Sequence, residues 1–370
     1  MMGRMTTASF DDLGHLPPMP RRLDRGIGLV GAGFIARDCH LPSYAEAGFR
    51  VVGIHSRTRS TADEVARLRG IRHVRDSIEE LVGDPEVEIV DVAIPPAEQP
   101  EVIRRILAAS GNVLGILAQK PLALELSEAT GLVEACEAAG VRLQVNQNMR
   151  YDHSVRALRT LLDRGDLGTP VLATIEMRAV PHWMPWARGG RSLSTLIMSI
   201  HHLDTFRYWL GEPSRVLAST RPDPRTKFAH NDGINLYILE YANGARASAW
   251  DDVWAGPEPE VGIRWRFEGT AGIALGTIGW PGWPERVPST IDSRTSAGPG
   301  GWQRPRWPEA WFPDAFAGPM AGLMVAIEDD AEPDISGRDN LNTLALCEAV
   351  LAAARGPGVV DLAPVGRGMP

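Results

Sequence analysis

Lysine is scarce in this chain: Lys120 and Lys227 are the only two, and Lys120 stands directly before Pro121 at the end of an apolar run. The carboxyl end of a parallel strand is where α/β proteins bind ligands, and a lysine in such a cleft, beside a positive charge, has its pKa lowered towards proton relay. The second candidate is a histidine. An imidazole with an ordinary pKa of about 6.5 suits acid–base exchange at neutral pH. His201 and His202 are adjacent, and a helix points neighbouring side chains about 100° apart, so only one should face a cleft. Periodicity leaves open which one, and either also reads as a hydrogen-bonded core histidine. Moving hydride off a carbinol carbon is the chemistry that would need such groups, because the hydroxyl proton must leave at the same time.

A glycine turn supplies the other half of that chemistry. Gly31-Ala32-Gly33-Phe34-Ile35-Ala36 is a G-x-G-x-x-A segment placed straight after a strand-like run and opening a helix. Gly31 and Gly33 permit a tight turn and close backbone approach to a pyrophosphate. Phe34 and Ile35 begin the helix, whose N-terminus offers N–H donors and a positive dipole end. The second strand ends at Ile54-His55-Ser56-Arg57, with Arg59 close by. A site for NAD usually places Asp or Glu here, to accept hydrogen bonds from ribose hydroxyls. Ser56 and Arg57 suit a 2′-phosphate instead, so NADP is the preferred cofactor and NAD the alternative.

The elements that must position these residues follow two different patterns. From Gly26, strands are expected at Ile27–Val30, Arg50–His55, Val87–Ile94, Val113–Leu117 and Val141–Val145. Helices are expected between them at Ile35–Ala47, Ala62–Arg69, Ile78–Val82, Gln99–Ala109 and Leu126–Ala139. Near-continuous apolar strands alternating with helices specify a parallel sheet covered on both faces. Residues 26–150 therefore read as an α/β Rossmann dinucleotide-binding domain. Residues 1–25 read as a polar, proline-dotted arm, either disordered or laid along a partner subunit.

After residue 150 the pattern changes. A helix at His153–Asp163 leads into longer strands at Val171–Val180, Ser214–Thr220, Ile234–Tyr241, Ala245–Trp254, Ile263–Glu268 and Gly272–Leu275. Tyr241-Ala242-Asn243-Gly244 is a hairpin signal. Residues 151–335 thus read as an α+β substrate and oligomerisation domain with a large, mostly antiparallel sheet. Leu193–Leu210 reads as a helix within it, and 279–316 as a loop dense in Pro, Gly and Trp. Residues 336–370 supply a last helix, Asp339–Ala354, and a tail that packs back on the body.

Composition narrows the class. The 370 residues suggest two or three domains, and 44% hydrophobic with 23% charged residues is ordinary globular usage. A net charge of -8 argues against nucleic acid as a partner. No apolar run approaches the ~20 residues of a membrane span. The first residues lack the apolar stretch of a signal peptide, and Cys39, Cys136 and Cys347 lie far apart, without disulfide or zinc spacing. A cytoplasmic protein with reduced thiols and no metal is the expectation.

The chain resembles the glucose–fructose oxidoreductase / inositol dehydrogenase / MocA (Gfo/Idh/MocA) family. The resemblance rests on the Ile27–Ala36 fingerprint, on Ala118-Gln119-Lys120-Pro121-Leu122, and on His201-His202-Leu203-Asp204 followed by Gly211-Glu212-Pro213. It extends through Ile94-Pro95-Pro96 and Asn146–Tyr151 to cover nearly residues 26–355. It implies an NAD(P)-dependent oxidoreductase acting on a sugar, polyol or sugar derivative, with Pro95 and Pro96 at the cofactor. Lys120 and His201, rather than His202, would be catalytic, and Asp204 structural. Two positions depart from the family pattern. Gln119 replaces the Glu of its Glu-Lys-Pro segment. Ile197 stands four residues before His201, where many relatives carry an Asp that orients the imidazole.

On the substrate side, eleven tryptophans contrast with five tyrosines. Trp183, Trp186, Trp250, Trp254 and the five of the 280–311 loop could offer sugars an apolar face, or fill the core or an interface between subunits. Asn148, Arg178, His182 and Asn235 are candidates to hydrogen-bond sugar hydroxyls. A homo-oligomer through the exposed face of the large sheet is expected. Two other functions remain: a non-catalytic cofactor-binding regulator, which Ile197 favours, and a glycoside-cleaving or epimerising enzyme with a closed redox cycle.

Overall fold

The computed structural model describes residues 13–109, 111–178, 185–189, 192, 194–252, 262–279, 285–296, 298, 300–356 and 358–363. Six strands form a parallel sheet: β1 (Gly26–Val30), β2 (Arg50–His55), β3 (His73–Val74), β4 (Ile89–Val92), β5 (Gly115–Gln119) and β6 (Arg142–Asn146). They pair in the order β3-β2-β1-β4-β5-β6. Chain direction across the sheet therefore reverses between β1 and β4, and a crevice opens beyond their carboxyl ends. Every residue of β1 and β4 is buried, as strands covered on both faces must be.

The covering helices are α1 (Leu41–Ala47), α2 (Arg59–Arg69), α3 (Ile78–Val82), α4 (Gln99–Ala108) and α5 (Leu126–Ala138). The single helix expected over Ile35–Ala47 is two pieces, because Ile35–His40 is a π-helical turn that leads into α1. After β6, a short 3-10 turn (Asn148–Tyr151) leads to α6 (His153–Asp163). The Asp152 carboxylate caps that helix by accepting from the Ser154 and Val155 N–H groups at 3.0 and 3.3 Å.

The second sheet has eight strands: β7 (Pro170–Arg178), β8 (Arg215–Arg221), β9 (Ile234–Glu240), β10 (Arg246–Asp252), β11 (Gly262–Gly269), β12 (Gly272–Ile278), β13 (Thr290–Thr295) and β14 (Val359–Asp361). Only β7 and β10 pair in parallel; the other neighbours are antiparallel. Alternation along β7, β9 and β11 turns Ile175, Met177, Tyr237, Leu239, Trp265 and Phe267 into one core. Helix α7 (Ile200–Leu210), entered through a π-helical turn at Thr195–Ser199, packs there with α6 and α9 (Gly337–Arg355). The hairpin turn forms as expected, Gly244 taking φ +90° and donating to the Tyr241 carbonyl at 2.9 Å.

Three features differ from expectation or add to it. The segment 279–316 carries β13, so it is more than a loop. Helix α8 (Ala317–Glu328) has no amphipathic signal because nine of its twelve residues are buried, several of them beside Ile27, Ile89 and Leu117 of the parallel sheet. In chain order it follows seven of the eight strands of the second sheet, yet in space it covers the first. The described part of the arm lies on its own chain: Leu13 is buried in the core, His15 stacks on Trp307 at 4.2 Å, and Arg21 pairs with Asp329. No helix among the described residues is long and apolar enough to cross a membrane.

Candidate active site

The crevice at the β1/β4 reversal widens into a cleft of about 560 Å³ that reaches the helix α7 side of the molecule. Gly31, Gly33, Phe34, Ile35, Ser56, Arg57, Pro95, Pro96, Lys120, Asn148 and His201 all line it. The glycines fit a dinucleotide on steric grounds. Gly31 holds φ +113°, and a Cβ there would meet the Ala93 carbonyl oxygen at 2.3 Å. A Cβ on Gly33 would meet nothing within 4 Å, so this glycine leaves room in the cleft rather than in the core. At the far end Arg57 is held by Glu98 at 2.9 Å, and Arg59 is paired with Asp63 and Asp76.

Lys120 ends up at the opposite end, half-buried just past the last residue of β5. Its Nζ donates to the Ile197 carbonyl oxygen at 2.6 Å. Burial pushes its pKa down to about 7, because an ammonium loses hydration in the cleft. His201 lines the same end, with its ring edge-on to Trp311 at 5.4 Å. Burial, then the nearby Lys120 charge, holds the imidazole well below its ordinary range.

The choice between the two histidines is made by contacts distant in sequence. His202 turns away into the core, where its Nδ1 donates to Asp251 Oδ1 at 2.7 Å. Asp251 also accepts from the Ser199 hydroxyl, and the Asp232 carboxylate accepts from Ser194 and Thr195 N–H at 3.2 and 2.8 Å. These two carboxylates fix the start of the helix that presents His201. Asp204 faces away from the cleft. It accepts from Arg150 Nε and Nη2 at 2.6 and 2.7 Å and from the Thr343 hydroxyl at 2.7 Å, the last of which ties α7 to α9.

The residues that aim Lys120 carried no signal in the sequence. Gln99, the first residue of α4, is fully buried. Its carboxamide accepts from the Gln119 N–H at 2.7 Å and donates to the Gln119 and Pro121 carbonyls, both at 2.9 Å. One side chain thus clamps the backbone on both sides of Lys120. From the other side, the Gln119 and Asn146 amide nitrogens each approach His40 Nε2 at 2.9 Å, while His40 Nδ1 donates to Asp91 at 2.6 Å and Tyr44 to the same carboxylate at 2.8 Å. A carboxylate at 119 would add a second negative charge beside Asp91; the Gln119 carboxamide instead offers a donor to the ring. Gln99→Ala leaves three backbone groups unpaired, each loss costing about 1–3 kcal/mol if not hydrated. The expected outcome is a fall in kcat of about tenfold with cofactor affinity retained, read by steady-state kinetics beside a nucleotide titration.

Not all expected substrate contacts are brought together. Asn148 is in the cleft, and its Oδ1 is buried without a hydrogen-bond partner. Arg178 is a correction: alternation along β7 sends Met177 into the core and Arg178 to the opposite face, over the Trp250 ring at 5.5 Å. Asn235 is also elsewhere, buried and donating to Thr195 and Ser199 hydroxyls. His182 and Trp183, together with Trp254, Trp280 and Trp283, lie outside the described residues. Of the described tryptophans, Trp186 and Trp311 line the cleft, while Trp209 and Trp265 are core residues whose indole N–H groups donate to Val155 and Ser154.

Comparison with known proteins bears on this arrangement. Residues 25–147 match an oxidoreductase family with an NAD-binding Rossmann fold, and residues 155–275 match the GFO/IDH/MocA C-terminal domain. A 1,5-anhydro-D-fructose reductase from Ensifer adhaerens is 30% identical over 337 residues, covering 88% of this chain and 95% of that protein. A D-apiose dehydrogenase from Paraburkholderia graminis is 25% identical, over 90% of this chain and 88% of its own. Among solved structures, an oxidoreductase from Agrobacterium radiobacter in complex with NAD+, L-tartaric acid and magnesium superposes with a TM-score of 0.78. It shares 23% identity over 91% of this chain and 98% of its own.

Proposed function

The chain belongs to the GFO/IDH/MocA family, and within that family of NAD-dependent carbohydrate oxidoreductases we propose that Lys120 and His201 handle the substrate hydroxyl while hydride passes to or from the nicotinamide. One observation carries the reading: the glycine turn after β1, the lysine after β5 and the histidine of α7 line a single cleft. The bound nicotinamide supplies the hydride acceptor or donor. The protein's own residues do the rest. In oxidation, Lys120 in its amine form takes the hydroxyl proton; in reduction, its ammonium returns one to the forming alkoxide. His201, kept uncharged by burial, hydrogen-bonds and orients the same oxygen, and Asn148 holds a neighbouring hydroxyl.

The test is spectroscopic. Purified protein is followed at the nicotinamide absorbance with NAD+ and NADP+ across aldoses, polyols and glycosides. A steady rise with one of them is the expected result. Cofactor binding without reduction by any substrate overturns the reading in favour of a non-catalytic protein.

NADP as the preferred cofactor is supported by Ser56 and Arg57 at the cleft and by the lack of any acidic residue from His55 to Thr58. Arg57→Ala then weakens NADPH binding about tenfold or more and leaves NADH binding little changed, as titration of the protein's fluorescence would read. Equal losses for both cofactors would remove the preference. A cytoplasmic location is supported by three buried free cysteines. A homo-oligomer through the open face of the second sheet is supported by exposed Val171, Leu236 and Ile238. The parallel sheet ending at Asn146 and the second beginning at Pro170 support domains at 26–150 and 151–335, between the arm and a C-terminal segment from 336.

A further inference from the structure

Beside the catalytic cleft lies a second cavity, of about 1040 Å³, that none of the roles above uses. Leu124 and Leu126 after β5 form one wall, Ala345, Ala349 and Ala352 of α9 another, and Leu362 of the C-terminal segment a third. The three alanines fall at i, i+4 and i+7 and so share one face of α9. The Glu348 carboxylate within this wall is engaged, accepting from the Leu126 N–H at 2.8 Å. Glu98, Glu125, Arg355 and Asp361 also line it, so apolar walls with a few charged groups enclose a volume of small-molecule size rather than a packing defect.

The cavity adjoins the catalytic cleft: Pro95, Pro96, Glu98, Trp186 and Ile197 line both. Ile197 is the pivotal residue. Its carbonyl holds Lys120, and the residue lines both the reacting cleft and the groove. An isoleucine here offers no acceptor to a hydroxyl. Glu98, the carboxylate among the described residues that line both cavities, is already bound to Arg57 at 2.9 Å. Trp186, 42% exposed, gives the passage an aromatic wall. A bare polyol crossing this stretch would exchange water for a carboxylate already paired with Arg57, whereas an apolar group would gain by burial against Pro95, Pro96, Trp186 and Ile197.

We propose that the substrate is a carbohydrate bearing an apolar aryl or alkyl substituent, which passes Ile197 and lodges in the α9 groove. The inference rests on the reading that Lys120 and His201 receive the carbinol. It makes Ile197, Trp186 and the alanine face of α9 the specificity determinants.

Matched methyl and phenyl glycosides of D-glucose, D-galactose and D-xylose test it, with NAD+ or NADP+ as oxidant and calorimetric binding to the cofactor-loaded protein. For at least one sugar, kcat/KM for the phenyl glycoside exceeds that for the methyl glycoside by about tenfold or more. Ala352→Trp, at an exposed helix position, fills the groove and lowers kcat/KM for the phenyl glycoside until the ratio is near one; Ala345→Leu does so partially. A ratio near one in the parent protein, or one that Ala352→Trp leaves intact, overturns the proposal. So does a variant that only dissociates an oligomer, which would make the groove an interface between copies. Tight phenyl glycoside binding that Ala352→Trp abolishes, without any turnover, keeps the groove and removes the dehydrogenase reading. Absence of both binding and turnover overturns the groove.

Discussion

Lys120→Met lowers turnover by about 100- to 10,000-fold, the span associated with losing a positioned general acid–base, and leaves nucleotide affinity essentially unchanged. Methionine keeps the length and apolar packing of the stem and removes only the proton-carrying end. Because burial brings Lys120 down to about 7, the parent enzyme's pH profile carries its titration near neutrality. The sign depends on direction. Oxidation needs the amine, so its rate climbs as pH rises through about 7, while reduction needs the ammonium and declines over the same interval. Both limbs disappear in the methionine variant. Ile197→Asp offers an independent check, since a carboxylate beside the ammonium favours the charged form and moves the oxidation limb to higher pH. A limb that survives Lys120→Met assigns the titration to another group and removes Lys120 from the chemistry.

Asp204→Ala produces the largest loss of stability among the residues considered. The carboxylate is 1% exposed and receives Arg150 through two hydrogen bonds, with Arg207 3.6 Å away. Removing one partner of a buried pair leaves the other uncompensated, at a cost of about 3–5 kcal/mol. Asp339, bonded to both arginines at 3.0 and 2.8 Å, offsets part of that cost. The expected fall in the thermal midpoint is about 5–10 °C. Below that midpoint, activity per folded molecule stays near the parent value, because Asp204 points at α9 and not at the cleft. Loss of activity with the midpoint unchanged would make Asp204 a participant in the reaction.

The legible parts of this protein were those that local spacing encodes. A glycine turn between a strand and a helix is read from adjacent residues, and Gly31 does take the positive φ that its turn requires. The alternation of apolar runs and helices marked the parallel sheet, and the hairpin at Asn243-Gly244 marked β9 and β10. What escaped were elements whose signal is not periodic. Helix α8 is apolar nearly all round because protein surrounds it, so no moment betrays it. The chemistry of Arg178 suits a substrate hydroxyl, but the two-residue period of β7 puts Met177 inward and so Arg178 outward.

By itself the sequence determined a Rossmann unit joined to a large antiparallel sheet, a dinucleotide turn, and a lone lysine at a strand end. Only the tertiary structure decided which histidine faces the cleft, since His201 and His202 are chemically alike and Asp251, 49 residues away, captures one of them. It also decided that Gln99 and His40 aim the lysine, and that Ile197 lines two adjoining cavities. Each of these depends on groups brought within hydrogen-bonding or van der Waals reach from separate elements. Such contacts are set by how the sheets and helices stack, and no short-range spacing in the chain encodes them.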